Sequence, residues 1–112
     1  MDRIKNYRWY KIAESSLEIL NVLGNPCMVR AGGKEICISI FNGEIRGCAA
    51  KCPHAGGNMW QGWVGPLGDI TCPLHRYKFD PKSGRNTSGE GYFMKTYPVR
   101  EDDEGVFVGI EI

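Results

Sequence analysis

Two short stretches hold both histidines of this chain and two of its five cysteines. "CPHAGG" (52–57) sets Cys52 and His54 around a proline, and "CPLH" (72–75) sets Cys72 and His75 around a Pro-Leu pair. Thiolate and imidazole are ligands of transition metals, so the two loops together describe a four-ligand metal site. Two thiolates and two imidazoles would satisfy tetrahedral zinc. Structural zinc sites usually pair like with like, whereas each loop here offers one Cys and one His. Mixed pairs suit a two-iron cluster, with one Cys from each loop on an inner iron and one His from each on an outer iron. Zinc stays open as the competing reading.

The elements that must position these loops read as short strands. Turn signals recur at "GNP" (24–26), "GG" (32–33), "NG" (42–43), "PLGD" (66–69), "PKSG" (81–84) and "DDEG" (102–105). Between them the apolar residues alternate. Ile36, Ile38 and Ile40 share one face of "KEICISIF", opposite Cys37, Ser39 and Phe41, and Val106, Val108, Ile110 and Ile112 share one face of "GVFVGIEI". Asn42-Gly43 suits the positive φ angles of a type I′ turn, which predicts a hairpin between "ICISIF" and "EIRGCAA". "RWYKIAE" and "YFMKTYPVR" each read as a strand. Only "ESSLEILNVLG" reads as helical, capped by Ser15 or Ser16 and stopped by Gly24. The pattern predicts a single all-β domain over residues 1–112, with the first Cys/His loop after "IRGCAA" and the second after the short "DIT".

At 112 residues the core is modest, and a metal staple would help it. The net charge of +1 gives no electrostatic case for nucleic acid or a membrane surface. The opening "MDRIKNYRWYKIAESS" has no apolar run of a signal peptide, and no apolar stretch approaches the ~20 residues of a membrane span. Five cysteines cannot all pair, so a reducing, cytoplasmic setting is expected, with Cys27, Cys37 and Cys48 as small apolar core residues.

From "WYKIAE" through "CPHAGG", "GDITCPLH" and "YKFDPKSGR" to "YPVREDDEGVFVGIEI", the sequence resembles the Rieske [2Fe-2S] ferredoxins. The resemblance implies packed antiparallel sheets with a smaller cluster-binding subdomain over about residues 48–80. It implies one [2Fe-2S] cluster per chain, with Cys52 and Cys72 on the buried iron and His54 and His75 on the exposed, redox-active one. High-potential members carry an extra disulfide between the loops; the matching positions here are Gly57 and Leu74. They also place a Ser and a Tyr as donors to the cluster sulfurs where this chain has Tyr77 and Phe79. Their loss predicts the low end of the Rieske range, about −150 mV. Arg76 stands where many relatives have Gly, so the backbone there is expected to differ. Trp60 and Trp63 are expected to pack the loop. Arg76, Lys78, Lys82 and Arg85 form a basic stretch suited to an acidic partner, or an ordinary solvated loop.

The resemblance implies an electron carrier without a substrate site of its own. Both histidines are used and no second domain remains for an oxygenase. The expected role is transfer of single electrons from a reductase to a terminal oxygenase or hydroxylase, as a monomer when free. The alternatives are a non-catalytic small subunit of a larger reductase, as in nitrite reductases, and a zinc-bound structural module.

Overall fold

The structure, a computed structural model, describes residues 6–112, so the first five residues of the opening stretch lie outside it. Among the described residues, ten strands form three antiparallel sheets. The first sheet has the order β1-β10-β9, from β1 (Tyr7–Ala13), β9 (Val99–Asp102) and β10 (Gly105–Glu111). The second has the order β2-β3-β4-β8, from β2 (Cys27–Ala31), β3 (Lys34–Phe41), β4 (Glu44–Ala49) and β8 (Thr96–Tyr97). The third is a small β5-β6-β7 sheet of two-residue strands, Trp63–Val64, Ile70–Thr71 and Lys78–Phe79. The all-β expectation holds.

The Asn-Gly hairpin forms as its chemistry requires. Asn42 and Gly43 take φ of 51° and 78°, the paired positive values of a type I′ turn, and Phe41 pairs with Glu44 across it. β3 lies inside its sheet and is buried on both faces, because each face meets a different core. Ile36, Ile38 and Ile40 join Val106, Val108, Ile19 and Cys27 in one cluster. Cys37, on the opposite face, joins Cys48, Met59, Ile70, Phe79 and Met94 in a second. Each Ile or Val fully removed from water contributes about 1.5–3 kcal/mol to this framework. Cys27, Cys37 and Cys48 are buried free thiols, as expected of core residues.

The helical segment is one α turn, α1 (Ser16–Glu18), widening into a π-helical turn over Ile19–Leu23. Ser15 is the cap: its hydroxyl accepts from the Glu18 N–H at 3.3 Å. Gly24, at φ 102°, ends the turn by donating to the Ile19 carbonyl.

Two expectations need correction. "YFMKTYPVR" is not one strand: β8 and β9 are separated by Pro98, and they belong to different sheets. Proline has no N–H to give a ladder, so it marks the point where the chain leaves β4 and crosses to β10. Ile112 does not share the inward face of β10, because the strand stops at Glu111 and Ile112 is 78% exposed.

Candidate metal centre

The first loop leaves β4 after Ala49, and the second lies between β6 and β7, so neighbouring sheets deliver both loops to one place. Each loop closes by the same pair of backbone bonds. Cys52 N–H donates to the Gly57 carbonyl at 2.7 Å and Gly56 N–H to the Cys52 carbonyl at 2.9 Å. Cys72 N–H donates to the Tyr77 carbonyl at 2.8 Å and Arg76 N–H to the Cys72 carbonyl at 2.9 Å. The fifth residue of each loop is left-handed, Gly56 at φ 72° and Arg76 at φ 62°. The backbone at Arg76 therefore keeps the turn that favours glycine, and the expected departure is one of strain and not of path.

This shared geometry sorts the four donors into two pairs. Cys52 and Cys72 are buried, at 3% and 1% exposure, and touch each other within the second core. Burial pushes the Cys52 thiol up, the His54 and Ala55 backbone N–H groups pull it down, and neighbouring Cys72 pushes it up again, for a net rise. Those N–H groups aimed at sulfur are the donors a thiolate needs. His54 and His75 lie outward of the thiols, with their Nδ1 atoms 3.3 Å apart and ring centroids 4.9 Å apart. His75 is exposed and His54 half-buried.

Gly57 explains how the loops come so close. A Cβ there would sit 2.7 Å from Cys72 Sγ and 3.0 Å from Leu74 Cβ. A side chain there would have to displace Cys72 Sγ, and Gly57 stands directly opposite Leu74. A buried thiol pair below an outer imidazole pair, with backbone donors aimed at sulfur, is a donor set that fits a two-iron cluster.

The surroundings divide the aromatic residues by role. Phe79 is fully buried in the second core and Trp60 packs partly against it, whereas Trp63 is 46% exposed with the Arg76 guanidinium 5.9 Å from its ring. Only Trp60 thus meets the packing expectation. The Tyr77 ring stacks on His54 at 4.1 Å between centroids and 29° between planes. Tyr92 joins this group, edge-on to His54 at 5.5 Å and 5.9 Å from the Tyr77 ring.

Reading the sequence alone missed Tyr92, which is seventeen residues past His75 (92 against 75) in a segment that reads as strand. The local signal is Asn86. Its buried side chain donates to the Lys78 carbonyl, Ser88 Oγ and Glu90 Oε1, and accepts from the Glu90 and Gly91 N–H groups. This knot folds residues 86–91 back and presents Tyr92. Hydrogen bonds from Ser88 and Asn86 hold Glu90 below the usual carboxylate range, so it stays charged beside Tyr77 and His54.

The profile of the Rieske [2Fe-2S] domain matches residues 8–98. The chain belongs to the Rieske [2Fe-2S] family. Its relatives include the ferredoxin component of the naphthalene 1,2-dioxygenase/salicylate 5-hydroxylase systems of Ralstonia sp., 32% identical over 89 residues, 79% of this chain and 85% of that one. The Rieske fold of the ferredoxin of carbazole 1,9a-dioxygenase from Nocardioides aromaticivorans IC177 superposes with a TM-score of 0.77 at 22% identity, over 89% of this chain and 95% of that one. The fold also matches, at TM-score 0.76 and 21% identity, a chain in the complex of reduced oxygenase and oxidised ferredoxin of carbazole 1,9a-dioxygenase, over 92% of this chain and 94% of that one. No helix among the described residues is long and apolar enough to cross a membrane.

Proposed function

We propose that this chain is a single-electron carrier that holds one [2Fe-2S] cluster and passes electrons from a reductase to a terminal oxygenase or hydroxylase. Cys52 and Cys72 are the ligands of the inner iron, and His54 and His75 those of the outer. The carrying observation is the segregation of the donors into a buried thiol pair and an outer imidazole pair. Relatives named as ferredoxin components of dioxygenase systems support the same role. When bound, the cluster supplies a one-electron change of state.

The chain's own residues do the rest. Residues 48–80 act as the cluster-binding subdomain, where the loop carbonyl and N–H pairs fix the spacing of the donors. Ile70, Phe79 and Met59 keep water from the thiol side. His54 and His75 form the exit toward a partner, with Tyr77 and Tyr92 orienting the His54 ring. The carrier has no substrate site of its own, works as a monomer when free, and resides in a reducing, cytoplasmic compartment, a setting supported by its free buried thiols.

The deciding experiment is an EPR spectrum of the dithionite-reduced protein, with iron and zinc quantified on the same sample. The carrier requires about two irons per chain and a rhombic signal of low average g, as expected of histidine-ligated clusters. One zinc and no iron would replace it with a structural module. A large subunit that copurifies in fixed ratio would replace the free carrier with a reductase small subunit.

A further inference from the structure

The link between β1 and β2 carries an apolar surface that the electron-transfer role does not use. Leu17, Leu20, Val22 and Leu23 are 65%, 47%, 75% and 43% exposed, although they sit in only eight residues (16–23). Isolated exposed leucines are ordinary, but four exposed apolar side chains within eight residues are a concentration of the kind that marks an interaction site. The segment is fixed from both sides. Ile19 is fully buried in the first core, Ser16 N–H donates to Glu101 Oε2 at 2.9 Å, and Asn25 exchanges two 2.9 Å bonds with the Ile40 backbone. A pinned apolar face has little ordering entropy left to lose on binding.

Its position separates it from the cluster loops. Asn25 bonds to Ile40 and Cys27 pairs with Ile38, near the Asn-Gly end of β3. The first cluster loop departs from Ala49, which pairs with Ile36 toward the other end of that strand.

The rim of the patch is acidic. Glu14 and Glu18 flank it in sequence, and Glu101 reaches it through the Ser16 bond. Asp102 ends β9, and Asp103 and Glu104 make the β9–β10 turn, near Ala13 because Ala13 pairs with Val106. Of these carboxylates, Glu14 is paired with Lys11 at 2.9 Å. An acidic rim repels a second copy of the same face, an anionic lipid surface and a nucleic acid alike. What it complements is an apolar face bordered by lysine and arginine.

We propose that residues 16–23 form a docking face for a protein partner that presents a cationic amphipathic helix. Docked there, a partner would hold the carrier while the histidine end stays free to exchange electrons.

The test uses the full, cluster-loaded chain and a fluorescently labelled amphipathic Leu/Lys helical peptide, with a scrambled peptide of the same composition as control. Fluorescence anisotropy should show the amphipathic peptide binding at least about tenfold more tightly than the scrambled one. The double variant Leu17→Gln/Val22→Gln, at exposed positions, should lose about tenfold in affinity, while its EPR signal and circular dichroism stay those of the parent. Asp103→Lys/Glu104→Lys should weaken binding at low salt and match the parent at high salt. Equal binding of the two peptides, or an unchanged affinity in Leu17→Gln/Val22→Gln, overturns the proposal. Concentration-dependent dimers that this variant abolishes would instead make the face a self-association surface. Cosedimentation with phosphatidylcholine/phosphatidylglycerol vesicles would make it a lipid surface, and either result defeats the proposal.

Discussion

The two cluster loops are near-copies of each other in backbone and differ where it matters in side chain. Both return the sixth residue's carbonyl to the cysteine N–H and both turn on a left-handed fifth residue. The first fills the fifth and sixth places with Gly56 and Gly57, and the second with Arg76 and Tyr77. The glycine loop can therefore approach the other loop's sulfur, while the Arg-Tyr loop supplies the outer wall, with Tyr77 on His54 and Arg76 over Trp63. A site with two equivalent backbones thus becomes one with a tight inner side and a furnished outer side.

Exchanging small residues for larger ones should break this asymmetry most severely at Gly57. A methyl there meets Cys72 Sγ at 2.7 Å, so Gly57→Ala should purify with far fewer than two irons per chain and lose most of the reduced EPR signal. Gly56→Ala, whose Cβ meets nothing within 4 Å, should retain its iron and lose only about 1–2 kcal/mol to left-handed strain. Similar iron contents in the two variants would mean that loop contact is not what Gly57 provides.

A smaller effect is expected from the furnished side. Tyr77 lies flat on His54, so Tyr77→Phe should leave the reduction potential close to that of the parent. Tyr77→Ser brings a short hydroxyl to this position, and a new bond to sulfur of about 1 kcal/mol would raise the potential by roughly 40 mV for one electron. Voltammetry of the three proteins separates these outcomes. A fall of that size in Tyr77→Phe would show that the tyrosine hydroxyl already donates.

The smallest effect concerns Arg76. Arg76→Gly and Arg76→Ala both lose the contact with Trp63, but only the glycine variant escapes the strain of φ 62°. Arg76→Gly should be more stable than Arg76→Ala by about 1 kcal/mol in urea unfolding. Equal stabilities would indicate that the loop relaxes out of the left-handed turn once arginine is gone.

Much of this was legible in the residues because local chemistry decided it. Asn42-Gly43 admits few alternatives to a tight hairpin, and the Cys/His spacing singled out four side chains that the structure gathers as a buried thiol pair and an outer imidazole pair. What escaped depended on distant partners. The alternation in "YFMKTYPVR" reads as a single strand, and only the presence of two sheets to pair with makes Pro98 a crossing point. Tyr92 reaches His54 only because Asn86 ties a loop whose bonds run to Lys78, Ser88 and Glu90. Arg76 lies in a turn that side-chain preference argues against, and the closing bond from its N–H to Cys72 overrules that preference.

The burial of β3 on both faces has a further consequence, in the timing of solvent exchange. A strand that serves as the common wall of two cores cannot open toward one without exposing the other, so the end that holds the two Cys/His loops and the end that carries the acidic turn should unfold as one cooperative unit. The amides of Ile36, Cys37 and Ile38 should be among the last to take up deuterium. If the proposed cluster is held by Cys52 and Cys72 in the second core, its removal should accelerate exchange at Val106 and Val108 in the first core as well.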